Sequence, residues 1–393
     1  MQRIAVVGAG FAGLWAALAA ARLLDRHGVG PEAVEVALVD PNPWHSIRVR
    51  NYESDLPATL VPLAEVCGPA GVTVVQAEAT GINLATRQIP LGADGAPSLA
   101  YDRVVLALGS RLLRPPVLGL AEHGFDIDTY PAAVRLMEHL AGPAGQGTVL
   151  IVGAGLTGIE LATELRSRPR GGPRVILADR ASHVGSDMGA AARDVIDTAL
   201  AALGVETRPG VTVASVDPAG VGLADGGRIA AETVVWCGGM RAHPLAAGLG
   251  LALDPLGRLP VDTMLRVVGA DAAFAAGDIA CLAIDPPHVS VMSCQHARPM
   301  GRFAGHNAAA DLLGEPLLPL AIGWYVTVLD LGGWGAVQTA GWDRHVIASG
   351  GAAKRVKQTI NRERIYPPRT GDRAAILAAA APEIQAPPAS TAQ

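Results

Sequence analysis

Residues 6–13 read VVGAGFAG, and residues 152–158 read VGAGLTG. In both stretches an apolar run enters the pattern Gly-x-Gly-x-x-Gly, so one chain carries the same glycine-rich turn twice. A single copy is weak evidence for a binding site, because glycine-rich turns also occur by chance. The residues on either side therefore decide what each copy means.

The two copies have matching surroundings. RIAVVG (3–8) is typical of a buried strand, GLWAALAAARLL (13–24) of a helix, and EVALVD (35–40) of a second strand that ends in an acid. The second copy repeats this order with TVLIVG, GIELATELRSR and RVILAD within residues 148–179. The sequence therefore predicts two Rossmann βαβ units, each arranged to bind a dinucleotide.

Each position of the pattern has its own role. The first glycine makes the tight turn, the second lets the backbone approach a pyrophosphate, and the third lets the helix pack closely on the strand. In order, these residues are Gly8, Gly10 and Gly13 in the first copy and Gly153, Gly155 and Gly158 in the second. Asp40 and Asp179 end the second strands and are placed to accept hydrogen bonds from ribose hydroxyls. Asp179 would repel a 2′-phosphate, which favours NADH over NADPH, and Arg180 moderates that preference.

The similarity continues downstream of both units. Residues 72–91 and 211–229 each read as short alternating strands, which predicts a β-meander. Residues 101–110 and 231–240 each read as a buried strand that ends in small residues. The repeat is therefore a whole domain of about a hundred residues.

Composition narrows the function classes. Half of the 393 residues are hydrophobic and 17% are charged, so a folded globular protein is expected. The formal net charge of −5 argues against a nucleic-acid partner. The four cysteines (Cys67, Cys237, Cys281 and Cys294) form no C-x-x-C pair, so no zinc or other metal site is predicted. Without a signal peptide or a long apolar run, a cytoplasmic protein is expected.

A third motif assigns the two nucleotides. AFAAGDIA (273–280) resembles the late FAD-binding motif of flavoproteins that bind two dinucleotides, in which the aspartate binds the ribityl chain. Over roughly residues 1–345 the chain resembles the pyridine nucleotide-disulfide oxidoreductase superfamily, and within it the type II NADH dehydrogenases, the NADH:quinone oxidoreductases. PNPWH (41–45), residues 234–262 and residues 292–315 carry that resemblance. The resemblance implies FAD at the first turn and NADH at the second.

The resemblance also implies the site residues. Glu160 would lie beside flavin and nicotinamide as a positioning group and proton relay, or would be only a helix-terminal acid. Gln295 would begin a helix that faces the flavin, and His296 would be a proton donor there or a structural histidine. The full set of expected cofactor contacts is Gly8, Ala9, Gly10, Phe11, Ala12, Gly13, Asp40, Pro41, Ala79, Gly109, Gly153, Gly155, Leu156, Thr157, Gly158, Asp179, Gly238, Gly277, Asp278, Gln295 and Ala297.

Two departures from the family leave the electron acceptor open. The cysteine pair of the disulfide reductases is absent, which excludes that activity. The family's second glutamine on the quinone side corresponds to Pro299. Three alternatives follow: a dehydrogenase that reduces a quinone or similar small acceptor, a reductase of a protein electron carrier or a biosynthetic small molecule, and a non-enzymatic NADH sensor.

The resemblance to the family is weaker for the C-terminal residues, so their sequence leaves several alternatives open. Residues 354–369 carry six basic residues and one acid, which fits a helix that contacts a membrane at the inner face, docks an acidic protein, or packs on the FAD domain. Residues 323–339 read as a glycine-broken strand pair whose aromatic residues (Trp324, Tyr325 and Trp334) line an acceptor pocket or close the core.

The predicted fold class is α/β, with the NAD(H) domain inserted in the FAD domain. The FAD domain comprises residues 1–115 and 246–320, and the NAD(H) domain residues 116–245. A small α+β region covers 321–370, and 371–393 is predicted to be a flexible tail. The superfamily resemblance also suggests a homodimer.

Overall fold

Two five-stranded parallel sheets form the framework of the protein. A computed structural model describes residues 1–92, 97–168 and 172–388. The elements before residue 115 are β1 (Gln2–Val7), α1 (Phe11–Arg26), β2 (Val34–Asp40), β3 (Trp44–Ser46), β4 (Leu60–Pro62), α2 (Leu63–Ala70), β5 (Thr73–Gln76), β6 (Gln88–Pro90), β7 (Ser98–Ala100), β8 (Arg103–Leu106) and β9 (Ser110–Leu112).

The remaining elements follow in two groups. Those between residues 116 and 245 are α3 (Leu120–His123), β10 (Gly124–Phe125), α4 (Tyr130–Ala141), β11 (Thr148–Val152), α5 (Leu156–Arg166), β12 (Arg174–Ala178), α6 (Gly189–Ala202), β13 (Glu206–Arg208), β14 (Val213–Asp217), β15 (Gly220–Leu223), β16 (Arg228–Ala230), β17 (Thr233–Trp236) and β18 (Met240–Ala242). The later ones are β19 (Leu259–Val261), β20 (Ala273–Ala275), β21 (Ala280–Asp285), β22 (His288–Val289), α7 (Cys294–Leu313), β23 (Val326–Asp330), β24 (Ala336–Ala340), β25 (His345–Ser349), α8 (Gly350–Thr359) and α9 (Arg373–Ala379).

The sheet topology confirms the predicted α/β fold with two Rossmann-like units. The first sheet has the order β20-β8-β1-β2-β5 and the second the order β10-β17-β11-β12-β13, and all of these pairings are parallel. Strand β20 comes from late in the chain and completes the first sheet, so the second sheet is an insertion. The antiparallel pair β9–β18 connects the two where the chain leaves and returns.

The β-meander is confirmed in the second copy and, after residue 76, in the first. Strands β14, β15 and β16 form an antiparallel meander. In the first copy, residues 73–76 join the parallel sheet as β5 instead. After them, antiparallel bridges join Ala79 to Leu91 and Asn83 to Gln88, and β6 pairs antiparallel with β7. Residues 93–96, between β6 and β7, lie outside the described residues.

Helices α1 and α7 pack together against the first sheet. Both are almost entirely buried, which fits the continuous apolar sequence of α1. A Cβ on Gly301 would overlap the backbone of Ala12, and a Cβ on Gly305 would overlap that of Ala16. These two glycines therefore allow the helix backbones to approach closely, and the contact fixes the start of α7 relative to the start of α1.

The C-terminal region contains a three-stranded antiparallel sheet, β23-β24-β25. The predicted glycine-broken strand pair is confirmed, because a turn over Gly332–Trp334 separates β23 from β24. Helix α8 continues as a π-helical turn over Ile360–Arg364.

The segment 371–393 differs from the predicted flexible tail. It contains α9, and Ile376 and Leu377 of this helix are buried in the core of the first domain. Residues 382–388 then run along α7, where their backbone and side-chain oxygens accept hydrogen bonds from arginines. Apolar burial by RAAILAA outweighs the proline-rich composition that suggested a tail. Residues 389–393 of that prediction lie outside the described residues.

Among the described helices, none combines the length and the apolar character that a membrane crossing needs.

Candidate active site

The first glycine-rich turn links β1 to α1. Gly8 has φ of 100°, and a Cβ there would press into the backbone of Ala107. A Cβ on Gly13 would overlap the carbonyl oxygen of Gly8, whereas one on Gly10 would meet nothing within 4 Å. Gly8 and Gly13 are therefore required by packing, and Gly10 borders open space where a ligand can approach.

The second turn has the same construction between β11 and α5. Gly153 has φ of 108°, and a Cβ on Gly158 would overlap the carbonyl oxygen of Gly153. Gly155 borders open space, as Gly10 does. Neither α1 nor α5 has a side-chain cap or an acid in its first turn. Both helix N-termini therefore present uncapped N–H groups and the positive end of the helix dipole to the space beside their glycine-rich turns. We call the space beside the first turn the first cradle and the space beside the second turn the second cradle.

The acids at the ends of β2 and β12 hold these turns. Asp40 accepts the N–H of Ala9 at 2.7 Å, and Asp179 accepts the N–H of Ala154 at 2.6 Å. Their second carboxylate oxygens accept the N–H groups of Asn42 and Ala181. A carboxylate has further acceptor sites, so each acid can also accept from a ligand hydroxyl.

A cavity of about 1220 Å³ begins at the first turn and reaches the start of α5. The predicted residues that line it are Gly8, Ala9, Gly10, Phe11, Ala12, Asp40, Pro41, Ala79, Gly109, Leu156, Thr157, Glu160, Gly277, Asp278, Gln295 and Ala297. The predicted residues outside its lining are Gly13, Gly153, Gly155, Gly158, Asp179, Gly238 and His296. The structure thus brings together the first-turn set, the GD motif and the start of α7, and only the first residues of α5 from the second set.

Asp278 lies on the turn that follows β20. Gly277 has φ of 76°, and Asp278 accepts a hydrogen bond from the Ser110 hydroxyl at 2.6 Å. Burial raises the pKa of Asp278, and the Ser110 hydrogen bond and the charge of Arg48 oppose that shift. Arg48 donates to the Ser110 carbonyl at 3.0 Å and pairs with Asp128. This corner of the cavity is therefore polar and rigidly hydrogen-bonded.

Glu160 is buried and paired with a lysine that the sequence analysis did not connect to it. Lys357 of α8 donates to Glu160 Oε1 at 2.7 Å, and the backbone N–H of Asp330 donates to the same oxygen at 3.0 Å. Burial raises the pKa of Glu160, and Lys357 opposes that shift. Burial lowers the pKa of Lys357, but the charge and hydrogen bond of Glu160, together with the charge of Asp330, raise it above its ordinary value. The ammonium therefore stays charged at the wall of the cavity.

Gln295 and His296 point to different places. The Gln295 side chain accepts from the Val326 N–H and donates to the Trp324 carbonyl, both at 3.4 Å, and it lines the cavity. His296 is fully buried, and its Nδ1 accepts the N–H of Val291 at 3.0 Å. Burial lowers the pKa of His296 to about 4. His296 is thus a neutral, buried histidine that packs on Tyr325 and Trp342 and does not belong to the cavity lining, which favours the structural role.

The aromatic residues of segment 323–339 have different surroundings, so each of the two predicted roles, lining a pocket and closing the core, fits some of them. Trp324 and Tyr325 line the cavity, whereas Trp334 packs against the core of the second domain. Cys237 and Cys294 also line the cavity, and burial raises the pKa of both thiols. Both are therefore protonated at neutral pH, which does not support a reactive thiol.

The basic segment 354–369 is less exposed than its sequence suggested. Lys354 pairs with Asp330 at 2.5 Å, and Lys357 is buried against Glu160. Arg355, Arg362 and Arg369 remain exposed. Because both lysines turn inward, two of the six basic residues that motivated a docking surface for an acidic protein are paired inside the molecule. Contact with a membrane surface stays a prediction.

Two functional candidates carry no signal in the sequence. Arg298 and Arg302 are buried on α7, line the cavity and lie over the ring of Trp15. Their spacing of four residues places them on one face of the helix, yet only the fold shows that this face is internal. Sequence reasoning did not find them because exposed arginines are far more common than buried ones.

The comparisons with known proteins agree with this geometry. Residues 2–301 match the family model described as pyridine nucleotide-disulphide oxidoreductase. The chain is 56% identical over 402 residues to NADH dehydrogenase-like protein Rv1812c of Mycobacterium tuberculosis, covering 99% of this chain and 100% of that one. It is 29% identical to the demethylphylloquinone reductase NdbB of Synechocystis sp., covering 85% of this chain and 86% of that one.

Solved structures share the fold over nearly the whole chain. The sulfide:quinone oxidoreductase of Aquifex aeolicus aligns with a TM-score of 0.77 at 17% identity and covers 95% of this chain and 93% of that one. The NDH2 of Plasmodium falciparum in complex with NADH aligns with a TM-score of 0.76 at 12% identity and covers 96% and 97%. At these identities the likeness concerns the fold.

Proposed function

This chain belongs to the pyridine nucleotide-disulphide oxidoreductase family, and we propose that it passes electrons from NADH, through FAD, to a quinone-like small acceptor. It is an FAD-dependent NAD(P)H oxidoreductase. The observation that carries the finer proposal is the single cavity shared by the first turn, the start of α5 and the start of α7. Two nucleotides and a small acceptor can meet there.

The residues of the first cradle fit FAD. Gly10 leaves open space beside the uncapped N-terminus of α1, which suits a pyrophosphate. Asp40 offers acceptor sites for ribose hydroxyls, and Asp278 offers a carboxylate for a sugar-alcohol chain. The cavity of about 1220 Å³ exceeds the roughly 300–1,000 Å³ of ordinary small-molecule sites, which leaves room beyond one cofactor.

The second cradle fits NADH. Leu156 and Thr157 begin α5 at the cavity, and Asp179 stands at the end of β12 with acceptor sites to spare. The carboxylate of Asp179 disfavours the extra negative charge of a 2′-phosphate. We therefore assign NADH, rather than NADPH, to this cradle.

The overall reaction balances without a protein thiol. NADH gives two electrons and one proton as hydride, solvent gives the second proton, and the acceptor leaves as a hydroquinone. FAD, when bound, supplies the two-electron centre between donor and acceptor. The protonated thiols of Cys237 and Cys294 take no part in this scheme.

The residues of the chain supply charge and position. The Lys357 ammonium, held by Glu160 at 2.7 Å, puts a positive charge at the cavity wall where negative charge develops during reduction. Gln295 ties the start of α7 to β23, so the positive end of that helix faces the cavity. Glu160 and Lys357 together also hold a proton at the wall.

The test is steady-state oxidation of NADH by the FAD-loaded protein with 2-methyl-1,4-naphthoquinone as acceptor. The proposal predicts hydroquinone formation in equimolar amount to the NADH consumed, with little NADH oxidation when the quinone is left out under nitrogen. Reduction of the flavin by NADH without any transfer to the quinone would reject the quinone part of the proposal. It would direct the search to other acceptors.

A further inference from the structure

Arg298 and Arg302 form a buried pair of positive charges in the wall of the cavity. They lie one helical turn apart on α7 and are 6% and 4% exposed. Their guanidinium carbons lie 5.1 Å and 4.3 Å from the ring centroid of Trp15. Both residues line the cavity in which ligands are proposed to bind.

The hydrogen-bond partners of the pair are neutral groups. Arg298 donates to the Gln385 side-chain oxygen at 3.1 Å, and Arg302 donates to the Glu383 backbone carbonyl at 3.4 Å. The Nε atoms of both arginines are buried without a partner among the described residues. Within residues 1–92, 97–168 and 172–388, neither guanidinium forms an ion pair with a carboxylate.

A third arginine adds to this positive charge. Arg364 lines the same cavity and donates to the backbone carbonyl of Ala386. Among the described residues, the acid that acts on the charge of Arg302 is Glu383, whose side chain is exposed and whose backbone carbonyl, not its carboxylate, accepts the hydrogen bond.

Buried charges of one sign call for a partner of the other sign. Burial lowers the pKa of Arg298 and of Arg302 to about 10, which still leaves both charged at neutral pH. Stacking on Trp15 offsets only part of the desolvation. The planar fork of a guanidinium matches a carboxylate in two parallel hydrogen bonds. The free donors therefore fit an anionic group that arrives with a ligand.

The other residues of the cavity indicate the chemical character of the rest of the ligand. Apolar and aromatic side chains also line the cavity that the arginines line: Ile322, Trp324, Ile365, Ile384 and Pro388. A flat apolar ring fits such a lining, and a charged substituent on that ring fits the guanidinium groups. The uncapped start of α1 already offers its own donors to the pyrophosphate of FAD, so the arginines are available to a second ligand.

We propose that Arg298 and Arg302 bind an anionic substituent of the electron acceptor, so that the substrate class is a carboxylated aromatic quinone rather than a neutral lipid quinone. This inference rests on the proposed function, because it concerns the acceptor of that same cavity. The other source of an anion is the pyrophosphate of FAD, and the experiment separates the two.

The binding test uses the oxidised, FAD-loaded protein and needs no turnover. The redox-inert carboxylate 1-hydroxy-2-naphthoate and the neutral 1-naphthol are each titrated while the flavin absorbance is followed. The wild-type protein should bind the carboxylate at least about tenfold more tightly, the effect of a charge-assisted hydrogen-bonded pair. The Arg298→Met/Arg302→Met variant should lose this preference, and the Arg298→Lys/Arg302→Lys variant should keep most of it.

The turnover test compares 1,4-naphthoquinone-2-sulfonate with 2-methyl-1,4-naphthoquinone. The ratio of their kcat/KM values should fall about tenfold in the Met/Met variant and stay unchanged in Arg355→Met, which removes an exposed arginine of α8. Because the ratio compares two quinones on one protein, differences in folded fraction or intrinsic reactivity cancel between variants. If the protein oxidises NADH with neither quinone, the proposed function is rejected. The binding test would still show whether the two arginines bind an anion.

Two results would overturn the inference. One is an equal preference for the carboxylate in wild type and in the Met/Met variant. The other result has two parts: the Met/Met and the single Arg302→Met variants lose FAD, and after reconstitution with FAD they bind the naphthoate as tightly as the wild type does. This result would assign the arginines to the cofactor.

Discussion

Glu160 and Lys357 show how much of this site depends on one pair of side chains from distant parts of the chain. Glu160 sits on α5, beside the second glycine-rich turn, and Lys357 sits on α8. Both are buried, and Lys357 also donates to the Val328 carbonyl at 3.1 Å. The pair therefore joins the C-terminal region to the second Rossmann-like unit at the wall of the cavity.

We expect Lys357→Met to destabilise the protein more than the double variant Glu160→Gln/Lys357→Met does. The single change leaves a buried carboxylate without its cation, a loss of about 3–5 kcal/mol, whereas the double change removes both charges and keeps an acceptor for the Asp330 N–H. Denaturant unfolding of the FAD-loaded proteins, with Lys357→Met and Glu160→Gln as the two single variants, measures the coupling. Equal destabilisation by Lys357→Met and the double variant would contradict the pairing.

Two fully buried histidines contribute to the dependence of the stability on acid. His45 and His296 are fully buried, and burial lowers the pKa of each to about 4. The unfolded chain, with histidine pKa values near about 6.5, binds more protons than the folded chain between these limits. The free energy of unfolding should therefore be at its full value above pH ~6.5 and fall as the pH drops toward about 4.

The variant His296→Asn tests this prediction. The amide oxygen of asparagine can still accept the Val291 N–H, but asparagine does not titrate. Urea unfolding measured from pH 7 to pH 4 should show a shallower loss of stability in His296→Asn than in the wild type. An identical slope in both proteins would mean that His296 does not titrate as its burial indicates.

Among the elements, the two helices that meet below the cavity were predicted separately and not as a pair. The sequence predicts α1 from its apolar run, and α7 from its resemblance to the family's flavin-facing helix. Their contact depends on Gly301 and Gly305, which read as ordinary glycines until the fold shows the backbones of Ala12 and Ala16 opposite them. Such a contact joins residues almost three hundred positions apart in sequence, so no local pattern reveals it.

We expect Gly305→Ala to destabilise the protein and weaken the binding of FAD. The added methyl would overlap the Ala16 backbone and push α7 away from α1, and overpacking of this kind costs about 1–3 kcal/mol. Thermal unfolding and the flavin content of the purified protein measure both effects. Gly68→Ala in α2 is the matched control, since its methyl would meet nothing within 4 Å. It should be neutral or slightly stabilising.

A Gly305→Ala protein that melts and retains FAD like the Gly68→Ala control would contradict the close packing of α1 on α7.

The prediction of a flexible tail over residues 371–393 fails where these residues form α9. The tail prediction came from the proline-containing end APEIQAPPASTAQ (381–393), whereas the burial of Ile376 and Leu377 depends on a surface that α1 and α2 create together. Likewise, the inward direction of Lys354 and Lys357 depends on Asp330 and Glu160, which the sequence does not place nearby.

At the scale of the whole molecule, the repeat explains what the sequence could predict. The glycine turns, the acids Asp40 and Asp179 and the parallel sheets follow from local periodicity and from turn geometry that only glycine satisfies. The return of the chain through β20 and α7 follows from the GD motif. The buried charges of Arg298 and Arg302, which we propose bind the acceptor, come from a helix face whose surroundings are set by the complete fold.

The central claim is that NADH, bound at the second turn, reduces FAD bound at the first. The most direct measurement is an anaerobic titration of the FAD-loaded protein with NADH and, separately, with NADPH, while the flavin absorbance near 450 nm (about the usual maximum of an oxidised flavin) is followed. The account predicts complete bleaching by about one equivalent of NADH and much weaker reduction by NADPH. An FAD-loaded protein that neither nucleotide bleaches would contradict it, because the second turn would then not deliver a hydride to the cavity.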